Sequence, residues 1–334
     1  MTTRTCEYVW VDPKGPEYIR SKTKISPTDQ GLEIWSFDGS STGYEVPVEN
    51  SELFLEPGKV YEHPFRDTGR DYFTICSVHD TDMKPLCNSS NLKILDKKHS
   101  DKEFWASFEQ EYFIYSEGNP INWTISELST GVTHHDKLYY CGNIAGGLCR
   151  RIAEEHMSAC IKAGIKISGI NAEVAKSQWE FQIGPSNPQQ AADDLIAARY
   201  LLLLICDKYN VRANFDPKPL TISDVCSGCH INFSDKNIRT SDMSDDFLQP
   251  IMDKFERAHD EHIAVCGVGN EFRLSGRCET SSRHKFTWGR GDRTASIRIP
   301  KLSNYGNGYL EDRRPGSNID PHLALSSIMG TLYS

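Results

Sequence analysis

Acidic and basic side chains alternate with apolar ones in four short segments of this chain, and the alternation restricts the possible folds strongly. In residues 108–112, Glu109 and Glu111 are two positions apart, with aromatic residues at both ends of the segment. Residues two apart on an extended strand point to the same face, with Cα atoms about 6.5 to 7 Å apart. Each segment is therefore predicted to be a strand with one apolar face and one face of reactive groups.

The other three segments follow the same rule. They are residues 179–183 with Glu180, residues 229–234 with His230, and residues 296–299 with Arg298. Any one of them alone is typical of a half-exposed sheet with its polar side in water. Because the pattern occurs four times in one chain, a shared site is favoured.

The reactive groups and their neighbours form two sets of opposite charge. The acidic set is rich in carboxylate oxygen and has one imidazole, which suits Mg²⁺ or Mn²⁺ better than zinc. Metal ions facing several guanidinium groups suit phosphoryl transfer, because both stabilise charge on the transferred group. The acidic set is Glu109, Glu111, Glu173, Glu180, Glu311 and His230, and the basic set is Arg273, Arg290, Arg293, Arg298, Arg313 and Arg314.

The rest of the pattern predicts two domains. Short β-branched or aromatic runs dominate up to about residue 77, and a polar, turn-rich stretch follows over residues 79–99. We place the boundary in that stretch, so that residues 1–90 form an N-terminal domain and residues 91–334 a catalytic domain.

Helices and strands alternate after this boundary. The periodicity predicts helices over residues 148–163, 189–209, 245–266 and 320–332. Pro250 is expected to lie in the first turn of the third helix or to break it.

Composition argues against several kinds of partner. The chain has 37 Lys and Arg against 46 Asp and Glu, an acidic balance that does not suit nucleic acid. No apolar run approaches the roughly 20 residues that cross a bilayer, and the first ten residues do not resemble a secretion signal. The 11 cysteines are odd in number and irregularly spaced, which favours reduced thiols. We expect a cytoplasmic protein that binds neither nucleic acid nor membranes.

Two local patterns suggest other cofactors, but only weakly. Residues 226–230 match a haem-attachment pattern, and Cys226 and Cys229 have a spacing seen in zinc sites. However, His230 lies in a strand-like run, and no second pair of Cys or His has a finger-like spacing. The phosphate-binding loop Gly-x-x-x-x-Gly-Lys-Ser/Thr does not occur, so any ATP site must be of another type.

Nine longer motifs, spread from residue 37 to residue 315, occur in a fixed order. They are FDGSSTG at 37–43, EQEY at 109–112, YYCG at 139–142, NAEV at 171–174, QWEFQIGP at 178–185, FDPKP at 215–219, GCH at 228–230, ASIRIP at 295–300 and YLEDRRP at 309–315. In content and order they resemble the motifs of class II glutamine synthetases, the eukaryotic type. The resemblance implies an α+β fold, in which a small N-terminal β-grasp domain precedes a catalytic α+β domain with a curved antiparallel sheet.

The resemblance also implies a reaction and its participants. The reaction is ATP-dependent ligation of ammonia to glutamate through a γ-glutamyl phosphate intermediate, giving glutamine, ADP and phosphate. The implied cofactor is Mg²⁺ or Mn²⁺, with ATP as co-substrate. The implied assembly is a homo-oligomer, a double-ring decamer.

Individual residues receive roles from the same resemblance. One metal ion is held by Glu111, Glu173 and Glu180, and a second by Glu109, His230 and Glu311. Substrate is bound by Arg273, Arg298 and Gly228. The nucleotide site is formed by Trp105, Pro185, Asn232, Ser234 and Tyr309. The catalytic residues are Asp38 from a neighbouring subunit, the flap residue Glu279, and Arg293 and Arg313.

One motif departs from the family pattern. Where the family has Asn-Gly-Ala-Gly-Cys-His, residues 225–230 read VCSGCH, so that Val225 and Cys226 replace an asparagine and a glycine beside the bound amino acid. Two alternatives follow: a related ligase that uses another amine or carboxylate, and a catalytically inactive ring with a structural role. The intact acidic set argues against the inactive ring, since a scaffold has no need of such a cluster of like charges.

Overall fold

The computed structural model describes residues 3–27, 31–66, 68–130, 139–143, 147–220, 224–277, 279–301 and 308–334. Within these ranges the chain forms a five-stranded sheet and a nine-stranded sheet. Helices pack mainly against the larger sheet. The chemistry predicted from the sequence falls mostly on the larger sheet.

The five-stranded sheet comes from the N-terminal part of the chain. Its strands are β1 (Thr3–Val11), β2 (Ile19–Pro27), β3 (Trp35–Asp38), β4 (Glu52–Glu62) and β5 (Tyr72–His79). Their order is β2-β1-β5-β4-β3, and only the β1–β5 pair is parallel. Alternate residues of β1 enter different cores: Tyr8 and Trp10 pack in a small cluster with Phe37, whereas Val9 joins the main core of the molecule. Both faces of this sheet are thus partly covered.

The nine-stranded sheet holds the segments in which charged and apolar residues alternate. Its strands are β6 (Trp105–Ser116), β7 (Asn119–Pro120), β8 (Ile167–Ala172), β9 (Gln178–Ser186), β10 (Arg212–Asn214), β11 (Cys229–Ser234), β12 (Trp288–Arg290), β13 (Ile297–Ile299) and β14 (Leu310–Asp312). The main order is β12-β13-β14-β11-β6-β9-β8, with β7 and β10 also paired to β6. All pairs are antiparallel except β12–β13. The sheet is strongly curled and rich in antiparallel pairs, which confirms the predicted fold class.

Eight α-helices occur in the described ranges. They are α1 (Ser89–Lys98), α2 (Ile125–Thr130), α3 (Leu148–Lys162), α4 (Pro188–Lys208), α5 (Lys236–Thr240), α6 (Asp245–Arg257), α7 (His259–Ala264) and α8 (Pro321–Leu332). The longest, α4, begins at an Asn187 cap whose side chain accepts a hydrogen bond from Gln190 N, with Pro188 in the first turn. Most of its residues are buried, because it lies between the two sheets and contacts β5, β6 and β9.

The predicted helices at residues 148–163, 189–209 and 320–332 are confirmed to within about two residues. The prediction for residues 245–266 is wrong in part, because two helices, α6 and α7, meet there at Ala258. Pro250 lies inside α6, beyond the first turn, without breaking it. The carbonyl that Pro250 leaves without an intrahelical donor belongs to Asp246, an exposed residue of the first turn, where water can satisfy it.

The stretch over residues 79–99 also differs from the expectation. It was predicted to be polar and turn-rich, yet it contains α1, whose Leu92 is fully buried in the main core. Strands β2 and β4 were not predicted. Both strands contain several charged residues, Arg20, Lys22 and Lys24 in β2 and Glu52, Glu56, Lys59 and Glu62 in β4, which weakens the strand signal in the sequence.

Asp194 of α4 connects the five-stranded sheet to the rest of the molecule. Tyr61 Oη of β4 donates to Asp194 Oδ1 at 2.7 Å, and Lys59 Nζ lies 2.7 Å from the same oxygen. The rings of Phe73 in β5 and Tyr200 in α4 are also in contact, with centroids 5.8 Å apart. The sheet is therefore attached to α4 by both polar and apolar contacts.

Among the helices of the described ranges, none combines the length and the hydropathy needed to cross a bilayer.

Candidate active site

The register of the nine-stranded sheet places four predicted metal ligands in opposing pairs. Glu109 of β6 lies opposite His230 of β11, and Glu111 lies opposite Glu180 of β9. Because Glu109 and Glu111 are two residues apart, both pairs emerge on the same face. The alternation predicted from the sequence is confirmed for β6, where Phe108 is fully buried on the other face.

A third set of opposing residues lies beside the first pair. Glu311 of β14 is opposite Asn232 of β11 on one side and Arg298 of β13 on the other. Five strands from distant parts of the chain, β6, β9, β11, β13 and β14, thus bring acids, an imidazole and a guanidinium to one face.

This face forms the floor of a cavity of about 310 Å³. Ten of the predicted site residues line it: Glu109, Glu111, Glu173, Glu180, His230, Arg273, Glu279, Arg293, Arg298 and Arg313. We call it the acidic cavity. Four of the six arginines of the basic set thus lie with the acids, whereas Arg290 pairs with Asp245 and the buried Arg314 with Asp312, outside the cavity lining.

Glu109, His230 and Glu311 form a compact group, in which the candidate ligand atoms lie within 4.8 Å of one another. His230 Nδ1 is 3.6 Å from Glu109 Oε2 and 3.6 Å from Glu311 Oε1. This nitrogen is buried and has no hydrogen-bond partner among the residues that the structure describes. A partnerless imidazole nitrogen facing two carboxylates fits a divalent cation.

Glu311 is almost completely buried and is paired with two arginines. Arg298 Nη1 donates to its Oε2 and Arg313 Nη1 donates to its Oε1, both at 2.6 Å. Burial, followed by the positive charge of Arg313, holds the pKa of His230 well below its usual range. His230 is therefore neutral at pH 7, which is the form that binds metal ions.

Glu111, Glu173 and Glu180 form a second group, which is held mainly by amide donors. Gln178 Nε2 and Gly228 N donate to Glu111 Oε2 at 3.0 and 2.9 Å. Asn171 Nδ2 donates to Glu173 Oε1 at 3.0 Å. Glu180 accepts from Gln182 Nε2. Neither Glu173 nor Glu180 has an Arg, Lys or His nitrogen within ion-pair distance in the described part of the chain.

Burial without a cationic partner changes the acidity of this second group. Burial raises the pKa of Glu111, Glu173 and Glu180, and neighbouring carboxylates raise the pKa of Glu173 and Glu180 further. The pKa of Glu173 reaches about 8. Since a nearby cation would favour the ionised form of each acid, the group suits a second hard cation.

A side chain at Gly228 would crowd two buried groups of the site. A Cβ atom there would lie 2.6 Å from Arg273 Nη2 and 2.8 Å from His230 Nε2. The Gly228 carbonyl accepts from Glu111 N at 3.0 Å. The glycine therefore lets the loop before β11 approach Arg273, His230 and Glu111.

Arg273 is buried, yet it is held by backbone carbonyls instead of a carboxylate. Its Nη1 donates to Arg314 O at 3.1 Å, and its Nη2 lies 3.1 Å from His230 Nε2. The guanidinium acts electrostatically on nearby Glu111, and its positive charge at the cavity wall suits an anionic substrate.

Glu279, Arg293 and Arg313 lie together at the edge of the cavity. Arg293 Nη1 is 4.0 Å from Glu279 Oε2, and Arg313 Nε donates to Arg293 O at 3.1 Å. Both Glu279 and Arg293 are exposed, so their pairing is weak and can open.

A second cavity, of about 340 Å³, contains all five residues assigned to the nucleotide. They are Trp105, Pro185, Asn232, Ser234 and Tyr309. Asn232 connects the two cavities, since its Nδ2 donates to Glu109 Oε1 at 2.7 Å. Arg239 of α5 also lines the second cavity, with its guanidinium carbon 4.0 Å from the Trp105 ring centroid.

Asp38 is the one assigned residue that the single chain does not bring near either cavity. It ends β3 of the smaller sheet and is exposed. Its carboxylate accepts from Ser40 Oγ at 2.7 Å and from Ser41 Oγ at 2.6 Å. These hydroxyls lower its pKa to about 2.

Several cavity residues were not assigned by sequence analysis. Gln182 and Asn171 lie two residues from Glu180 and Glu173, so the alternation that identified the acids also pointed to them. Arg239 lies on a short helix and has no signal in the sequence. The other unassigned residues of the acidic cavity are Tyr140, Val174, Gln178, Asp224, Val225, Cys226 and Thr280.

Comparisons with known proteins point to one family. The model of the family "Glutamine synthetase, catalytic domain" matches residues 91–255. Glutamine synthetase of Schizosaccharomyces pombe is 41% identical over 340 residues, covering 98% of this chain and 91% of that protein. Glutamine synthetase of Bradyrhizobium diazoefficiens is 40% identical over 347 residues, covering 100% of this chain and 97% of that protein.

A mitochondrial relative and a solved structure extend the comparison. Glutamine synthetase 1, mitochondrial, of Drosophila melanogaster is 38% identical over 337 residues, covering 97% of this chain and 82% of that protein. The cryo-EM structure of Plasmodium falciparum glutamine synthetase superposes with a TM-score of 0.77 at 18% identity, covering 98% of this chain and 71% of that one. At this identity the superposition shows a shared fold.

Proposed function

Because this chain belongs to the glutamine synthetase family and is an ATP-dependent glutamate–ammonia ligase, we propose that its reaction takes place in the acidic cavity. The observation that supports this proposal is the convergence of ten assigned residues on one cavity. Glutamate would bind near Arg273, Arg298 and Gly228, and ATP would bind in the cavity that contains Trp105.

Two divalent cations, Mg²⁺ or Mn²⁺, belong to this proposal. Glu109, His230 and Glu311 would hold one ion, and Glu111, Glu173 and Glu180 would hold the other. The partnerless Nδ1 of His230 and the raised pKa values of the second group support the assignment. When bound, such ions neutralise charge on the transferred phosphoryl group.

The first step joins glutamate to phosphate. A γ-carboxylate oxygen forms a bond to the γ-phosphorus of ATP, and the bond from that phosphorus to the oxygen of ADP breaks. The guanidiniums of Arg293 and Arg313 would stabilise the negative charge that spreads over the phosphoryl oxygens. Arg273 and Arg298 would hold the carboxylates of glutamate in position for the attack.

The second step forms glutamine. Ammonia attacks the acyl carbon, the bond from that carbon to the phosphate oxygen breaks, and the proton lost from nitrogen leaves with phosphate. Glu279 would close over the acyl phosphate and limit its hydrolysis by water. Asp38 of a second copy would attract ammonium and accept a proton from it. The hydroxyl contacts of Asp38 support the attraction of ammonium, since they keep its carboxylate ionised and negatively charged.

A homo-oligomer follows from the position of Asp38. Since Asp38 lines neither cavity of its own chain, a neighbouring copy would have to supply it. A double-ring decamer meets this need. Mass photometry of the purified protein would give a species of ten chains, whereas a single-chain mass would contradict the proposal.

Two further assignments accompany this proposal. Residues 1–90 would form the N-terminal domain and residues 91–334 the catalytic domain. The ten described cysteines are all free thiols, which supports a cytoplasmic location. Because the Drosophila relative is named as a mitochondrial protein, cell fractionation is the experiment that tests this location.

The direct test of the activity uses hydroxylamine in place of ammonia. Purified protein with MgATP, glutamate and hydroxylamine should form γ-glutamyl hydroxamate. Glu111→Gln should lose at least about 100-fold of this rate, because it removes a ligand charge from the cavity floor. Glu62→Gln, an exposed acid on β4, is the matched control and should keep the full rate. Wild-type protein that forms intact rings but no hydroxamate would favour the structural alternative.

A related ligase remains a second candidate, because Val225 and Cys226 line the acidic cavity. These are the positions at which the chain departs from the family motif. Phosphate release should be compared with ammonium, methylamine and ethylamine as acceptors. A higher kcat/KM for either larger amine would favour the second candidate over glutamine formation.

A further inference from the structure

Asp224 is a cavity residue without a role in the reaction described above. It lies on the loop before β11, lines the acidic cavity and is exposed. Among the described residues no side chain or backbone group forms a hydrogen bond or an ion pair with it. Its carboxylate is therefore available to a ligand.

The segment that follows Asp224 is fixed by packing and hydrogen bonds. Val225 is only 5% exposed and packs with Phe113 and Ala175. Gln178 Nε2 donates to Cys226 O at 2.9 Å, and Gly228 N donates to Glu111 Oε2 at 2.9 Å. These contacts fix the chain directly after Asp224 beside the cavity.

The backbone of this loop is already engaged with the protein. The Val225 carbonyl accepts from Lys218 Nζ at 3.2 Å, and the Cys226 carbonyl accepts from Gln178. Ser227 N donates to Pro217 O at 3.0 Å. The loop therefore offers a new cation its Asp224 carboxylate more readily than its carbonyl oxygens.

The other acids of the cavity have different tasks. Four of them, Glu109, Glu111, Glu173 and Glu180, are proposed to hold the metal ions. The fifth, Glu279, is near Arg293. Glutamate brings two carboxylates, for which the cavity has several guanidiniums, and one α-ammonium group. Asp224 is the remaining lining carboxylate that can bind the ammonium group.

We propose that Asp224 binds the α-ammonium group of the amino-acid substrate and so selects α-amino dicarboxylates over simple dicarboxylates. This inference rests on the proposed function of the acidic cavity. It makes Asp224 a specificity-determining residue, in a loop that departs from the family motif.

The test compares glutamate with glutarate, which has the same two carboxylates but no ammonium group. Binding of each is measured by calorimetry on the intact oligomer, with Mg²⁺ and a non-hydrolysable ATP analogue present. Asp224→Asn should weaken glutamate binding about 10- to 100-fold, as loss of a charged hydrogen bond does, and leave glutarate binding unchanged. Asp224→Glu should retain part of the preference for glutamate. Glu271→Gln, an exposed acid outside the cavity lining, is the matched control and should behave like wild type.

Other results would overturn the inference. Equal weakening of both ligands by Asp224→Asn would indicate a structural role, and an effect confined to the KM of hydroxylamine would place the amine co-substrate at Asp224. Unchanged binding of both ligands would show that Asp224 has no role. The hydroxamate assay on wild-type protein tests the proposed function separately, since the calorimetric comparison needs no turnover.

Discussion

The two groups of acids on the floor of the cavity are stabilised in opposite ways. Glu311 has two guanidinium nitrogens at 2.6 Å, whereas Glu173 and Glu180 are held by amide groups and have raised pKa values. The first group is close to electrically balanced without any ligand. The second group needs a proton or a cation to reach the same balance. One face of the sheet thus contains two kinds of acid. The charge of Glu311 is balanced by Arg298 and Arg313, which together we call the permanent network, whereas the charge of the second group is balanced only when a proton or a cation binds.

The largest effect is expected from breaking the permanent network. Arg313→Met keeps most of the side-chain volume but leaves Glu311 with one partner. We expect the free energy of unfolding to fall by about 3 kcal/mol, because a buried charge loses a partner, and hydroxamate formation to fall at least about 100-fold. Urea unfolding in EDTA and the hydroxamate rate measure the two effects. Arg151→Met, on the exposed side of α3, is the control, and equal behaviour of the two variants would contradict the network.

A smaller effect is expected from the pH dependence of the second group. The native pKa of Glu173 is raised to about 8, so the native state binds more protons than the unfolded state between about pH 4.5 and pH 8. Stability of the metal-free protein should therefore decrease as pH rises through this range. Thermal unfolding in EDTA from pH 5 to pH 9 measures the slope, and saturating Mg²⁺ should reduce it.

Glu173→Gln is the matched variant for this pH series. It removes one titrating group and should flatten the curve, with a gain on the order of 1 kcal/mol near pH 8. A slope that is identical in the variant would show that Glu173 does not titrate in this range.

The smallest effect is expected from the amide contacts of the second group. Asn171→Ala removes the donor that lies 3.0 Å from Glu173 Oε1. We expect the affinity for Mg²⁺ to fall about tenfold and stability to change by about 1 kcal/mol or less. Mg²⁺ titration followed by thermal shift gives the affinity. Asn119→Ala, exposed in β7, should leave it unchanged, and equal affinities in the two variants would argue against a role for this contact.

Local pattern predicted much of the fold and of the site. Alternation in residues 108–112 correctly placed Glu109 and Glu111 on one face, and the Asp320–Pro321 pair marked the start of α8. The sequence signal for a strand was weaker in β2 and β4, which contain several charged residues. The helical periodicity also did not show that α6 and α7 are separate helices that meet at Ala258. Arg239 was not predicted to line a cavity, because its contact with Trp105 depends on the position of α5. No local sequence pattern specifies that position.

The sequence by itself determined which side chains share a face of each strand, because the two-residue repeat of a β-strand is a property of the local backbone. Only the tertiary structure decided that Glu109 faces His230, that Glu111 faces Glu180, and that Glu311 is enclosed by Arg298 and Arg313. The physical reason is that strand order and register depend on pairing between distant segments, and a shift of one residue would send an entire set of side chains to the opposite face.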